Sequence, residues 1–250
     1  MYILKLSDVS LTYHSLSGET EALKKISFGV DEKEFIAIVG PSGCGKTTIF
    51  SIISGLIKPT TGTLELPDDH KKYIGYMFQR DHLFEWRNIW QNVTLGLEIQ
   101  KQKDKSKYEY VENLLEKYGL KDFRNSYPRE LSGGMRQRVA LIRTLALDPK
   151  ILLLDEPFSA LDYQTRLNVG DDVSRIIFAE QKTAILITHD IAEAISLADR
   201  IIVLSERPAV IKNIFEINME KAAPLKRREN PMFGKWFDKI WKELNTNETL

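Results

Sequence analysis

Apolar positions come in three patterns along this chain, and each predicts a different element. Near the start, Tyr2–Leu6 and Val9–Tyr13 alternate apolar and polar residues, which predicts two short strands of a half-exposed antiparallel sheet. The polar, Gly-containing stretch His14–Glu21 reads as a hairpin loop, and "ALKKISFGV" that follows as another strand. Four further runs are apolar without alternation: Phe35–Val39, Ile151–Leu154, Thr183–Ile187 and Arg200–Leu204. Such runs suit strands buried on both faces. Helical spacing lies between them. Thr47–Leu56 reads as a helix closed by the turn "KPTTG", and Asn92 to Leu145 has helical character. In "YEYVENLLEKYGL", Val111, Leu114, Leu115 and Tyr118 fall on one face and Gly119 is a stop. Buried strands alternating with helices predict a parallel α/β sheet interrupted by a helical block. In the tail, "FGKWFDKIWKEL" spaces Phe233, Trp236, Phe237, Ile240, Trp241 and Leu244 as one face of an amphipathic helix, packed on its own domain or on a partner.

Composition narrows the class. The chain has 250 residues, 43% of them hydrophobic and 28% charged, enough for a core that needs no disulfide staples. Its one cysteine, Cys44, allows no intramolecular disulfide and makes a cytosolic location the simplest expectation. Lys+Arg and Asp+Glu are both 35, so no net charge draws the protein to nucleic acid or anionic lipid. The first residues, "MYILKLSDVS", do not read as a signal peptide, and no 18-residue apolar run predicts a membrane span.

The candidate chemistry begins where the first buried run ends. "GPSGCGKT" fits G-x-x-x-x-G-K-[ST] at Gly40–Thr47, with Gly40, Pro41, Ser42, Gly43, Cys44, Gly45, Lys46, Thr47 and the next residue Thr48 between a buried strand and a helix. Glycines let successive N–H groups curl around a β-phosphate, and the helix N-terminus adds partial positive charge. Lys46 brings a full charge to the β- and γ-phosphates, and the Thr47 hydroxyl can ligate Mg²⁺. Cys44 reads as a small side chain rather than a nucleophile. A nucleotide site of this kind needs an acid at the end of a neighbouring strand. "ILLLDEP" supplies Asp155 to hold Mg²⁺ through water and Glu156 to polarise the attacking water. "LSGGMRQR" then places Ser132, Gly133 and Gly134 before the helix Met135–Leu147, a second anion-accepting helix start. One nucleotide does not need two such sites. Two chains arranged head to tail do, each closing its serine-glycine turn on the other's ATP.

Five motifs in this order, Gly40–Thr48, Leu131–Gln137, Asp155–Glu156, "SALD" at Ser159–Asp162 and "THD" with His189, resemble the ABC transporter ATPases over nearly the whole chain. The resemblance implies an α/β P-loop NTPase fold with a parallel core sheet, an N-terminal antiparallel β subdomain and an inserted helical subdomain at about 80–145, within an ATPase domain 1–206 and ahead of a tail 207–250. It implies ATP and Mg²⁺ as cofactors and ATP hydrolysis as the activity. His189 would contact the γ-phosphate, Asp162 would lie at the dimer interface, and Tyr13 would stack on adenine. Gln79 would sense Mg²⁺ and the membrane partner. Met135 departs from the commonest signature, where Gln stands, with Gln137 two positions later. The expected partners are a second copy in the ATP-bound state, integral-membrane permease subunits and, indirectly, an extracytoplasmic solute-binding protein, with no nucleic acid. The expected location is peripheral, on the cytoplasmic face of the membrane. "FQRDHLFEWRNIWQNV" and "LSERP" look like importers of nitrate, sulfonate, taurine and thiamine precursors, with Leu83, Phe84 or Trp86 facing the permease. Rival readings are an exporter ATPase and a non-transport ABC protein of translation or DNA repair.

Overall fold

The computed structural model describes residues 2–16, 18–66, 73–220 and 222–246. In chain order its elements are β1 (Tyr2–Ser15), β2 (Gly18–Asp31), β3 (Phe35–Val39), α1 (Lys46–Ile53), β4 (Thr61–Glu65) and β5 (Ile74–Met77). The helical block follows as α2 (Ile89–Val93), α3 (Leu95–Ile99), α4 (Lys105–Lys117) and α5 (Gly133–Leu145). The second half contains β6 (Ile151–Asp155), α6 (Tyr163–Ala179), β7 (Thr183–Ile187), α7 (Ile191–Leu197), β8 (Arg200–Leu204), β9 (Ile211–Glu216), α8 (Pro224–Arg228) and α9 (Met232–Asn245).

Two sheets form. One is antiparallel, in the order β2-β1-β4, and the other runs β5-β6-β7-β3-β8-β9. The larger sheet is parallel except for β9, which returns antiparallel to β8. Alternation inside its apolar strands divides the core in two. Ile36, Ile38, Leu153, Ile185 and Ile202 face the small sheet and α1. Ala37, Val39, Leu152, Leu186 and Val203 join the core that holds apolar residues of α5, α6 and α7. Both faces are covered, which is why these strands are apolar between their ends.

The first two expected strands are one. Asp8 takes a positive φ of 49°, and the pairing steps from Leu6–Phe28 to Val9–Ile26, an extra residue on one side. The bulge moves the buried positions of β1 from even to odd numbers, so Leu4 and Leu6 share a face with Val9 and Leu11. The expected loop His14–Glu21 contracts to a turn between Ser15 and Gly18, because His14 and Tyr13 stay paired with Glu19 and Thr20. α4 stops before Gly119, whose φ is +70°. The tail helix α9 packs on α7 and β8, burying Ile240 and resting Phe233, Trp236, Phe237 and Leu244 on the core. Trp241 stays 55% exposed, stacked on Phe237.

A candidate nucleotide site at the ends of three parallel strands

β6, β7 and β3 are neighbours and run parallel, so the loops that follow them open on one side of the sheet. After β3 comes Gly40–Thr48. Gly43 and Gly45 have φ of +73° and +125°. A Cβ on Gly45 would also lie 2.8 Å from Leu23 Cδ2 and 3.1 Å from the Ala22 carbonyl oxygen, so this position has neither the backbone nor the space for a side chain. Lys46 is buried, and its Nζ donates to the Gly40 and Pro41 carbonyls at 2.8 Å each. The ammonium thus holds the loop that carries it. Pro41, Ser42 and Thr47 lie on the accessible side of the loop, while Cys44 is buried against Gly40. Burial pushes the Cys44 thiol up, in keeping with a packing role. Tyr13, on β1, reaches the loop through its hydroxyl, 3.3 Å from Thr48 Oγ1.

After β6 come the two acids. Asp155 accepts a hydrogen bond from the Tyr76 hydroxyl at 2.8 Å, across from β5. Burial pushes its carboxyl up, a trend opposed by Tyr76, Lys46 and Thr47 and assisted by Glu156. Glu156 has φ of +44°, and its N–H donates to the Ile187 carbonyl at 2.9 Å. That left-handed turn directs the side chain toward the loop after β7, where His189 Nδ1 lies 3.2 Å from Glu156 Oε2. Asp155, Glu156, His189, Lys46 and Thr47 are therefore gathered in one place.

The remaining candidates stand on other segments of the chain. Gln79 is exposed in the stretch after β5. Ser132 is the exposed N-cap of α5, accepting from the Met135 N–H at 3.3 Å. A Cβ on Gly134 would meet Val169 Cγ2 at 2.8 Å, and one on Gly133 would meet Leu161 Cδ2 at 3.2 Å. The close approach of α5 to Val169 of α6 thus leaves no room for a side chain at Gly134 before any ligand is considered, whereas at Gly133 the end of the Leu161 side chain would have to shift by only a few tenths of an ångström. Asp162 caps α6 by accepting from the Thr165 N–H. Near the exposed end of the helical block, Leu83 is buried, Phe84 is half-buried, and Trp86 is 73% exposed and stacked on Phe84. Asn92, fully buried, ties that segment down by bonding both the N–H and the carbonyl of Phe84.

Two residues escaped the sequence reading. Tyr76 sits in a strand of four residues, Ile74–Met77, too short to stand out in the sequence. Glu193 is the lone acid within the apolar run of α7, a signal that could have marked it. No helix among the described residues is long and apolar enough to cross a membrane.

Comparison with known proteins places this geometry. A profile described as ABC transporter matches residues 23–159. An ABC transporter ATP-binding protein of Bacillus subtilis, itself uncharacterised, is 47% identical over 99% of this chain and 98% of its own length. The nitrate import ATP-binding protein of a Synechocystis species is 38% identical, covering 98% and 96%. An aliphatic sulfonates import ATP-binding protein of Bacillus licheniformis is 38% identical, covering 94% and 91%. Among solved structures, a dimeric ATP-binding cassette in a post-hydrolysis state with ADP and phosphate superposes with a TM-score of 0.71 at 31% identity, covering 87% of this chain and all of the other.

Proposed function

This chain belongs to the ABC transporter ATP-binding family, and on that premise we propose how its residues hydrolyse ATP and what the hydrolysis drives. It is an ATP-binding subunit homologous to importer ATPases, which favours import over the exporter and non-transport readings. The observation that carries the mechanism is the 3.2 Å approach of His189 to Glu156 beside the Lys46 loop.

Residues 40–48 cradle the phosphates with backbone N–H groups, and Lys46 supplies the fixed positive charge. Tyr13, beside Thr48, offers its ring to the adenine. Thr47, Asp155 and Gln79 present hydroxyl, carboxylate and amide oxygens, a donor set that suits Mg²⁺, an ion that keeps several waters. When bound, Mg²⁺ would neutralise charge on the β- and γ-phosphates. Glu156 polarises the attacking water, and His189 contacts the γ-phosphate. Catalysis in this arrangement is mostly positioning and charge stabilisation.

Ser132, Gly133 and Gly134 pack against Met135, Leu161 and Val169 rather than on this cluster, so they would serve a second copy's nucleotide in a head-to-tail homodimer. The dimeric cassette that this fold resembles supports that reading. Exposed Trp86 would face a membrane permease, placing the protein peripherally on the cytoplasmic side and serving an extracytoplasmic solute-binding protein only indirectly. Residues 1–206 would form the ATPase unit, with the insertion at about 80–145, and 207–250 its tail. The solute would be a small molecule of the nitrate, sulfonate or taurine kind, or a thiamine precursor.

Replacing Glu156 with Gln keeps the shape of the site and removes the charge. Turnover should fall by about 10²–10³-fold, as it does when a transition-state group is lost, while ATP binding persists and an ATP-bound dimer accumulates in sedimentation. Adding Ser132→Arg should return that dimer to monomer. Near-normal turnover in Glu156→Gln would overturn the catalytic assignment, and a dimer surviving Ser132→Arg would overturn the arrangement of the two copies.

A further inference from the structure

We propose that Glu193 is a positioning residue for His189, holding through the Thr188 hydroxyl the turn that aims the imidazole at Glu156. The proposal rests on the reading above, in which His189 works at the reacting phosphate.

Glu193 lies in the first turn of α7 and is only 7% exposed. The Thr188 hydroxyl donates to its Oε2. That hydroxyl also accepts the Asp190 N–H at 3.0 Å, and the Asp190 carboxylate accepts the Glu193 N–H at 3.1 Å. These three bonds close a ring through the two residues that flank His189. Thr188 is anchored in turn, since it is buried and its N–H donates to the Ile38 carbonyl of the strand that carries the phosphate loop. From α6, Arg166 stands 3.7 Å from Asp190 and completes the frame. The turn bearing His189 is therefore fixed to the phosphate-loop strand on one side and to α7 on the other, with the imidazole itself exposed at 3.2 Å from Glu156.

Helix capping does not explain this carboxyl. Asp190 already caps α7, and the capped group is the Glu193 N–H, which any residue would supply. Packing does not explain it either. The neighbouring inward positions are Ile191, Ala194 and Ile195, and Glu193 Oε1 is buried without a hydrogen-bond partner. Keeping an acid there is costly. Burial pushes its pKa up to about 7, against the Thr188 hydrogen bond. Asp190 adds to the rise, while Arg166 and, from α8, Arg228 oppose it. Arg228 is itself engaged, donating to Ser196 Oγ at 2.9 Å. The contact that the carboxyl gains in this setting is the one to Thr188.

The test compares ATP turnover of the purified full chain across variants. Glu193→Ala should lower kcat by about 10- to 100-fold, the range that a misplaced catalytic group costs, with KM for ATP within about twofold. Glu193→Gln retains an acceptor for Thr188 and should recover most of that loss. His189→Ala should be slow by itself, and the double variant Glu193→Ala/His189→Ala should be no slower than His189→Ala, because both act through one group. If Glu193→Ala does not fold, Thr188→Val removes the hydroxyl at nearly constant shape and should show the same kcat loss. Normal turnover in His189→Ala would overturn the reading of His189 and the proposal with it. Slow His189→Ala beside multiplicative losses in the double variant, a rise in KM matching the fall in kcat, or normal kcat in Thr188→Val would overturn the proposal alone.

Discussion

Tyr76 bears on Asp155 from the neighbouring strand. Its hydroxyl donates to one carboxylate oxygen at 2.8 Å, which helps hold the acid beside Thr47 and Lys46 of the phosphate loop. Removing that hydroxyl should loosen the acid without moving the backbone. Tyr76→Phe should therefore raise the Mg²⁺ concentration needed for half-maximal turnover by about fivefold, given about 1 kcal/mol for such a bond. Metal-free ATP binding, followed by equilibrium titration, should be unchanged, and an unaltered Mg²⁺ dependence would show that Asp155 is held by other groups. The sequence displays Lys46, Asp155 and Glu156 plainly because each belongs to a short motif that follows or ends a buried strand. It does not display Tyr76 or Glu193, since their roles come from pairing across strands and from burial. Nor does it reveal that Gly134 is tightly packed, as that follows from how closely α5 approaches Val169.

At the level of elements, the helical block is clasped to the parallel core by Glu180, just past α6. Lys117, Tyr118 and Tyr110, from α4 and its end, donate to this carboxylate at 2.7, 2.6 and 3.2 Å. Burial raises its pKa, but the hydrogen bonds from Lys117 and Tyr118 outweigh that and hold it below the usual glutamate range. A carboxyl whose folded pKa is depressed contributes stability above its unfolded pKa of about 4.3 and loses it as pH falls through the folded value. Glu180→Gln should therefore lower the unfolding free energy at pH 7 by about 1–2 kcal/mol, below the full range for hydrogen bonds to charged groups because solvent screens the half-exposed Lys117. Denaturant titrations should show the difference from wild type shrinking as pH drops below about 4. A pH-independent difference would mean that shape, not charge, makes the clasp. The buried strands were legible as elements because their apolar runs are continuous. β4, β5 and β9 were not, since the first is largely exposed and all three lie at sheet edges. Nor could alternation alone predict that β1 continues through Asp8, because the bulge changes its parity.

For the molecule as a whole, the order β5-β6-β7-β3-β8-β9 has a temporal side. β3, which ends in the phosphate loop, pairs with β7 and β8, and both lie far downstream in the chain. On the ribosome, residues 35–39 emerge first and must wait until residues 183–187 and 200–204 have been made, roughly ten seconds or more at about 5–20 residues per second. During that interval the nascent chain presents an apolar, unpaired strand, the kind of segment that chaperones bind. Chains arrested before Thr183 has left the exit tunnel should therefore not be protected from protease by an ATP analogue. Those arrested with Leu204 well outside should be. Protection of the shorter chains would mean that the phosphate loop forms without its sheet. Otherwise, translation pauses inserted ahead of codon 183 should lower the yield of active protein, whereas pauses after codon 204 should not.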